Sequence, residues 1–332
     1  NGKLKLELYE SSYHTLQKLK ENIQQAVLDS NIYHEEIVLK LSSAGLDGYE
    51  NGTLTNGAVI YERKNERIFN YKPSIVIRPF IASREGFLKA ALISQVDAQY
   101  LLSNNFFWST NIKYTLYDNF NDLSIPPEDT YPNQVRSDIK DYLNNFGGRP
   151  IIGRSQLDYF KTLSEDHHIQ LTFGILEEMF AGYGFEYLWS NPNKNFSMGI
   201  ELFQVFKRDY ELRLGLKDYQ NVSGHLNLYF NNTRFLPFDF HLSIGEYLAG
   251  DKGYTFDISR KFSNGVKMGG FFTRTDVSAL QFGEGSFDKG IYFSIPLRGD
   301  LFSFAWRPLT KDPGSKLLRK DNLHEILRKY KY

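Results

Sequence analysis

Residues 221–231 read NVSGHLNLYFN, and residues 238–248 read FDFHLSIGEYL. In the first, Val222, Leu226, Leu228 and Phe230 alternate with Ser223, His225, Asn227 and Tyr229. In the second, Phe238, Phe240, Leu242 and Ile244 alternate with Asp239, His241, Ser243 and, further on, Tyr247. Successive side chains of a strand point to opposite faces, so each run is a strand with one apolar and one polar face. Both runs reach about ten residues, whereas strands of globular proteins cluster around five or six. A tilted strand that crosses a bilayer needs roughly 9–11 residues, apolar toward lipid and polar toward a lumen.

The same alternation recurs from about residue 74 to about 308. In NFSMGIEL, Phe196, Met198, Ile200 and Leu202 oppose Ser197, Gly199 and Glu201. In YTFDISRKF, Tyr254, Phe256, Ile258 and Phe262 oppose Thr255, Asp257, Ser259 and Lys261. HIQLTFGI shows Ile169, Leu171, Phe173 and Ile175 on one face, and FWSTNIKYTLYD sets Trp108, Ile112, Tyr114 and Leu116 against Asn111, Lys113 and Tyr117. In FGEGSFDKGIYFSIPLRG, Ile291, Phe293, Ile295 and Leu297 oppose Gly290, Tyr292, Ser294 and Pro296. LFSFAWRPL adds Phe302, Phe304 and Trp306 against Ser303 and Arg307. Short joins such as FSNG (262–265) and AGDKG (249–253) suit hairpins, and residues 121–150 form one long excursion.

The expected fold is therefore mainly β, an antiparallel transmembrane β-barrel of about 12 strands preceded by a small α/β domain, with lipid against its apolar face. A soluble sandwich would bury that same face against a second sheet and stays open as an alternative. Composition agrees with the barrel: aromatics make up 16% of the chain, and no apolar stretch is long enough for a helical span. Thirty-nine basic residues balance 39 acidic ones, which gives no reason to expect nucleic acid. The absence of cysteine removes disulfides, thiolate metal sites and thiol nucleophiles.

Three regions are expected. Residues 1–72 form the α/β domain: KLKLELY is a strand, Leu16, Leu19, Ile23, Ala26 and Val27 share a helix face, and EEIVLKLSSAG and GAVIYERKN read as two more strands. DGYENG (47–52) reads as a turn, lacking the ligand spacing of a calcium loop. Residues 73–310 form the barrel. Residues 311–332 form a basic helical tail with Leu317, Leu318, Leu323, Ile326 and Leu327 on one stripe, able to plug the lumen, lie at the membrane interface, bind a partner or fray in solution.

No nucleophile elbow, phosphate loop or His-Glu-x-x-His is present. Adjacent His167 and His168 point to opposite faces and do not share a metal, and Glu177 and Glu178 fail as a glycosidase pair for the same reason. The chain is expected to be no enzyme and to need no cofactor or metal. What remains is a wall of mixed polarity, whose candidate lumen or glycan contacts are Lys113, Asp158, Glu201, His225, Asn227, Asp239, His241, Asp257, Lys261, Tyr292 and Arg307, with Gln170 and Glu186 on the same face. Such a wall either pairs charges across a closed lumen or guides a polar solute; hydroxyls and aromatic faces suit sugars.

LEEMFAGYGFEYLW, EYLAGDKGYTFDISRKFSNGVKMGGFFTRTDVS and FGEGSFDKGIYFSIPL, preceded by YTLYDNFNDL and VRSDIKDYL and followed by RPLTKD, resemble the carboxy-terminal half of the YjbH family of exopolysaccharide and group 4 capsule proteins. The resemblance implies an outer-membrane β-barrel with a periplasmic α/β domain, serving secretion or surface assembly of a polysaccharide as conduit or scaffold. It also implies envelope secretion proteins as partners, and an upstream barrel half that is a separate polypeptide, a cleaved partner or a portion outside this sequence. The rivals are a porin-like or structural barrel without a glycan role and a soluble β-rich glycan-binding protein.

Overall fold

The computed structural model describes residues 3–9, 16–30, 36–43, 46–50, 69–83, 86–103, 105–120, 131–191, 194–231, 237–262, 264–283, 287–297, 302–308, 312–320 and 322–328. The chain begins with β1 (Lys3–Tyr9), α1 (Leu16–Asp29), β2 (Glu36–Ser43) and β3 (Leu46–Glu50). β1 and β2 pair in parallel with α1 as the connection between them, and β3 folds back antiparallel on β2. β3 takes in Asp47–Glu50, a stretch whose composition suggests a turn; pairing of Ser42 with Asp47 and Lys40 with Glu50 overrides that local preference. The strand expected at GAVIYERKN lies outside the described residues.

Among the described residues thirteen strands follow: β4 (Phe69–Ser83), β5 (Gly86–Ser103), β6 (Phe106–Asp118), β7 (Ile151–Ser164), β8 (His167–Ile175), β9 (Phe180–Ser190), β10 (Phe196–Arg208), β11 (Leu216–Phe230), β12 (Asp239–Glu246), β13 (Lys252–Lys261), β14 (Lys267–Thr275), β15 (Asp288–Leu297) and β16 (Phe302–Trp306). Three short helices interrupt or follow them: α2 (Ile139–Leu143), α3 (Ala279–Phe282) and α4 (Leu323–Arg328). Each of the thirteen strands pairs antiparallel with the next in chain order, and β16 comes round to lie beside β4. The sheet curls into a barrel. Among the described residues the backbone ladder stops at β4 and β16, which is why β4 tolerates Pro73 and Pro79 on its unladdered edge.

The strands are long: β5 runs 18 residues and β11 runs 15. Their burial is inverted relative to a water-soluble protein. Ile75, Ile77, Trp108, Ile112, Leu171, Phe173, Met198, Ile200, Leu202, Val222, Leu226, Met268 and Ile291 are exposed on the outer surface. Ser109, Asn111, Asp158, Gln170, Thr172, Glu186, Ser197, His225, Asn227, Ser243, Thr255 and Thr273 are buried inside. A sandwich would reverse this, so the soluble alternative is excluded as a description of the fold. Exposed Tyr100, Phe106, Trp108, Phe196 and Phe230 gather toward one rim, and Tyr117, Tyr183 and Tyr254 toward the other. Aromatic girdles of this kind mark the two edges of an apolar band.

The face assignment fails at two positions. Ile175, grouped with the outward Leu171 and Phe173, is buried. Tyr117, expected inward, is 70% exposed together with its neighbour Leu116. The pairing jumps from Leu92–Tyr117 to Ile93–Thr115, so a bulge at Leu116 turns two consecutive side chains outward.

Call the rim carrying the β5–β6, β7–β8, β9–β10 and β13–β14 hairpins the near rim, because β4 enters the barrel there from the α/β unit. The far rim carries the long β6–β7 connection. An odd number of strands leaves the end of β16 at the far rim, opposite the entry of β4. There the chain turns inward past Gly290, where a Cβ would lie 2.5 Å from the ring of Pro308. Residues 312–320 and 322–324 lie inside the barrel on the way back toward the near rim, a span that a chain of this length reaches at up to about 3.3 Å per residue if extended.

At the far rim, residues 131–150 fold over the opening. Val135, Ile139, Tyr142, Leu143 and Phe146 pack with Phe120, Leu176, Met179, Phe180, Phe203, Val205 and Leu248 in one apolar cluster. At the near rim, Leu323, Ile326 and Leu327 of the tail pack with Leu46 of β3 and with Phe107, Phe160, Leu188 and Tyr229 of the wall. Among the described residues each rim thus carries an apolar cluster beneath or beside its opening.

The outward face yields a direct test. Ile200→Arg, placed midway between the girdles, should cost roughly 2–4 kcal/mol of barrel stability in lipid. The check is the urea midpoint of the heat-modifiable band on unheated gels. No change in that midpoint would place Ile200 away from lipid.

Candidate functional site in the barrel lumen

Four neighbouring strands bring one row of inward side chains together. Gln170 of β8 is the register partner of Glu186 on β9, Glu186 of Glu201 on β10, and Glu201 of His225 on β11. Antiparallel register partners share a face, so two carboxylates stand directly opposite each other inside the wall. Arg319 of the tail lies between them. Its Nη1 donates to Glu186 Oε2 at 2.7 Å and to Glu201 Oε2 at 2.9 Å, and its Nη2 donates to Gln170 Oε1 at 2.7 Å. The guanidinium also sits 4.6 Å above the Phe203 ring.

Further groups extend this belt. Lys316 donates to Ser243 Oγ and lies 4.0 Å from Glu201. The backbone N–H of Leu323 donates to Glu186 at 3.2 Å. His225 places Nδ1 3.3 Å from Glu201. Asp158 accepts from Gln156 at 2.8 Å, Thr172 at 2.7 Å and Gln170 at 3.2 Å, so it holds Gln170 in place for Arg319. Toward the near rim, His324 stacks on Tyr229 at 3.7 Å between ring centres, and Tyr229 stacks on His241 at 4.4 Å.

Of the residues singled out in the sequence, Glu201 and His225 belong to the belt itself, and Asp158 supports it. Asn227 and His241 form a neighbouring pair, Asn227 Oδ1 to His241 Nε2 at 2.9 Å. Asp257, Tyr292 and Arg307 form a separate cluster: Tyr292 donates to Asp257 at 2.7 Å, Arg307 approaches the same carboxylate at 3.9 Å, and its guanidinium lies over the Phe271 and Tyr292 rings. Lys113 lies toward the far rim, paired with Glu178 at 2.7 Å. Asp239 and Lys261 are half-buried near the opposite rim, away from the belt.

The residues that alternation could not find are on the tail. The basic stretch 316–320 signals charge but not where the charge goes. Its expected helix is confined to Leu323–Arg328; residues 312–320 have no regular structure. Pro313 and Gly314 break the helix there, Gly314 at a φ of +83°. Asp312 anchors the turn by accepting from the backbone N–H groups of Val135 at 2.8 Å, Arg136 at 2.6 Å and Ser137 at 2.9 Å.

The lid over the far rim carries its own buried charges. Arg136 pairs with Glu177 at 2.7 Å, and Arg208 donates to the carbonyls of Ile152, Glu177, Glu178 and Arg213. Burial pushes the Tyr142 hydroxyl up, as does nearby Asp138. Burial alone would raise the Glu178 carboxyl, yet Arg78 and Lys113 beside it hold it well below the usual carboxylate range. Among the described residues no group of three or more His, Asp or Glu is placed to hold a metal ion.

The family model described as "Exopolysaccharide biosynthesis protein YbjH" (YjbH) matches residues 13–329. The chain belongs to the YjbH family. The "Uncharacterized lipoprotein YjbH" of Escherichia coli (strain K12) is 36% identical over 222 residues, covering 63% of this chain and 31% of that protein. This chain therefore spans about a third of the length of that relative. Two solved structures of OmpT, an outer-membrane protein of Vibrio cholerae, are similar at 10% identity. One covers 68% of this chain and 79% of the OmpT chain with a TM-score of 0.31, the other 72% and 94% with a TM-score of 0.24. The barrel assignment rests on the strand ladder and the inverted burial, not on these two.

Two outcomes follow from the site. Arg319→Ala should cost about 3–5 kcal/mol, because it strands Glu186, only 2% exposed, and Glu201 without their cation. The readout is the unfolding midpoint in detergent, and adding Glu186→Gln and Glu201→Gln should recover part of the loss. The second concerns Asp251, in the turn after β12, which accepts from the Gly314 N–H at 2.7 Å. Burial pushes its carboxyl up to about 6 from 3.8. The fold thus binds this proton more tightly than the unfolded chain, so stability falls as pH rises from about 4 to about 6. The loss is on the order of 2–3 kcal/mol. Unfolding midpoints across that interval should show the decline, and Asp251→Asn should flatten it.

Proposed function

We propose that this YjbH-family barrel sits in the outer membrane and serves secretion of an exopolysaccharide as a conduit that is closed at rest. It acts without catalysis. The observation that carries the proposal is the combination of an apolar outer face with a polar lumen occupied by the chain's own tail. A purely structural wall could fill its interior with its own side chains, whereas here a separate stretch of the chain is held in the lumen by hydrogen bonds and ion pairs. Short hairpins at the near rim and the long connection at the far rim support an orientation with the near rim and its α/β unit in the periplasm and the lid outside. Outer-membrane lipid, the polysaccharide and other envelope secretion proteins are its proposed partners.

A second reading, a scaffold that never opens, draws support from the apolar cluster under the far lid. One experiment separates the two. The Leu248 N–H donates to the Ser315 carbonyl at 2.9 Å, so tail and wall are adjacent there. The protein contains no cysteine, and Leu248→Cys with Ser315→Cys creates one lockable pair. As a conduit, the oxidised double variant should abolish exopolysaccharide release in cells, with recovery on reduction and with each single variant active. Undiminished release from the locked protein would favour the scaffold.

A further inference from the structure

The lumen belt constrains what is able to replace the tail. Glu186 and Glu201 stand opposite each other as register partners on one face. Like charges in that position oppose pairing of the strands, and buried carboxylates without a cation are worse. Arg319 and Lys316 supply the positive charge at 2.7–4.0 Å. Anything that draws the tail out must bring positive charge with it.

A second observation points to a ligand. His225 is 4% exposed, and its Nε2 has no hydrogen-bond partner. When Nδ1–H donates to Glu201, that Nε2 is a buried acceptor waiting for an N–H or O–H donor. Nearby acceptors and rings complete the set: Gln170, Asp158 and Asn227 accept hydrogen bonds, and Phe203 and Tyr229 offer faces on which a cation or a sugar ring stacks.

We infer that the Gln170–Glu186–Glu201–His225 row is a binding site for the ammonium groups of an amino-sugar polysaccharide, with the tail as its resident internal ligand. The inference rests on the conduit reading and names the polymer that reading leaves open. A neutral glycan brings no charge to exchange for Arg319, and an anionic one adds to the repulsion between the two carboxylates. The tail and a cationic glycan therefore compete for one place, and binding of the polymer is what opens the lumen.

The test reads tail release directly. Ser315 is fully buried, and Ser315→Cys gives the otherwise cysteine-free chain one thiol, whose maleimide labelling in purified full-length protein reports exposure. Glucosamine oligomers with free amines should accelerate labelling by about tenfold or more, whether or not oligolysine does so too. Their N-acetylated counterparts and oligogalacturonate should not, and Glu201→Gln should weaken the response. Leu323→Cys, at the other end of the tail, repeats the measurement should the Ser315 variant fold poorly. No acceleration by the free-amine oligomers, an equal response to the N-acetylated or anionic ones, or a response to oligolysine alone would overturn the assignment. Because the labelling is done on isolated protein, its failure is distinguishable from failure of the conduit reading, which the disulfide lock reports in cells.

Discussion

The pairing of Arg319 with Glu186 and Glu201 is the interaction on which the arrangement of the lumen depends. Two strands that pair through neighbouring glutamates, both facing inward, would repel each other unless a cation lay between them. The wall has inward bases, but it does not supply this cation; the tail does, from more than a hundred residues away in sequence. The guanidinium suits the position because its planar fork reaches both carboxylates and Gln170 at once. Removing either side leaves buried charge of one sign, so wall and tail are stable only together.

Strand parity explains why the tail is there at all. With thirteen antiparallel strands among the described residues, the sheet ends at the rim opposite the one where β4 enters. Threading back through the barrel carries residues 312–328 to the near rim, where α4 meets β3 and the wall in a small apolar cluster. The α/β unit, the tail and the barrel thereby meet in that cluster. The same parity sets β4 and β16 side by side in the same direction, with β16 only five residues long. Closure leans on what fills the lumen more than on that last pair of strands.

The polar interior is thus consistent with two roles at once: it folds the protein around its own tail, and it is chemically able to receive something else. The family to which the chain belongs is described as exopolysaccharide biosynthesis proteins, and the proposed role starts from that description. The charge arrangement then narrows which polymers are compatible with the wall, since an acidic pair neutralised by an arginine accepts only a cationic substitute.

Much of the fold was written in period-two alternation. Val222, Leu226 and Phe230 against Ser223, His225 and Asn227 settle the strand and its division into an apolar and a polar face, because strand geometry leaves adjacent side chains no other arrangement; that the polar face lines a lumen rather than solvent is decided by the curled sheet and its burial. The inward identity of Glu201, His225, Asp257 and Tyr292 followed from the same rule. Alternation is blind to a bulge, which shifts the phase by one residue, and so it misplaced Tyr117. It is equally blind to the tail. Local sequence around Arg319 encodes a basic segment with helical spacing; that the segment stays extended, and that its charge belongs between Glu186 and Glu201, is decided by long-range electrostatics inside the closed barrel. Those contacts do not exist until thirteen strands have come round to make a lumen, and for that reason only the tertiary structure shows that this barrel is filled by its own chain.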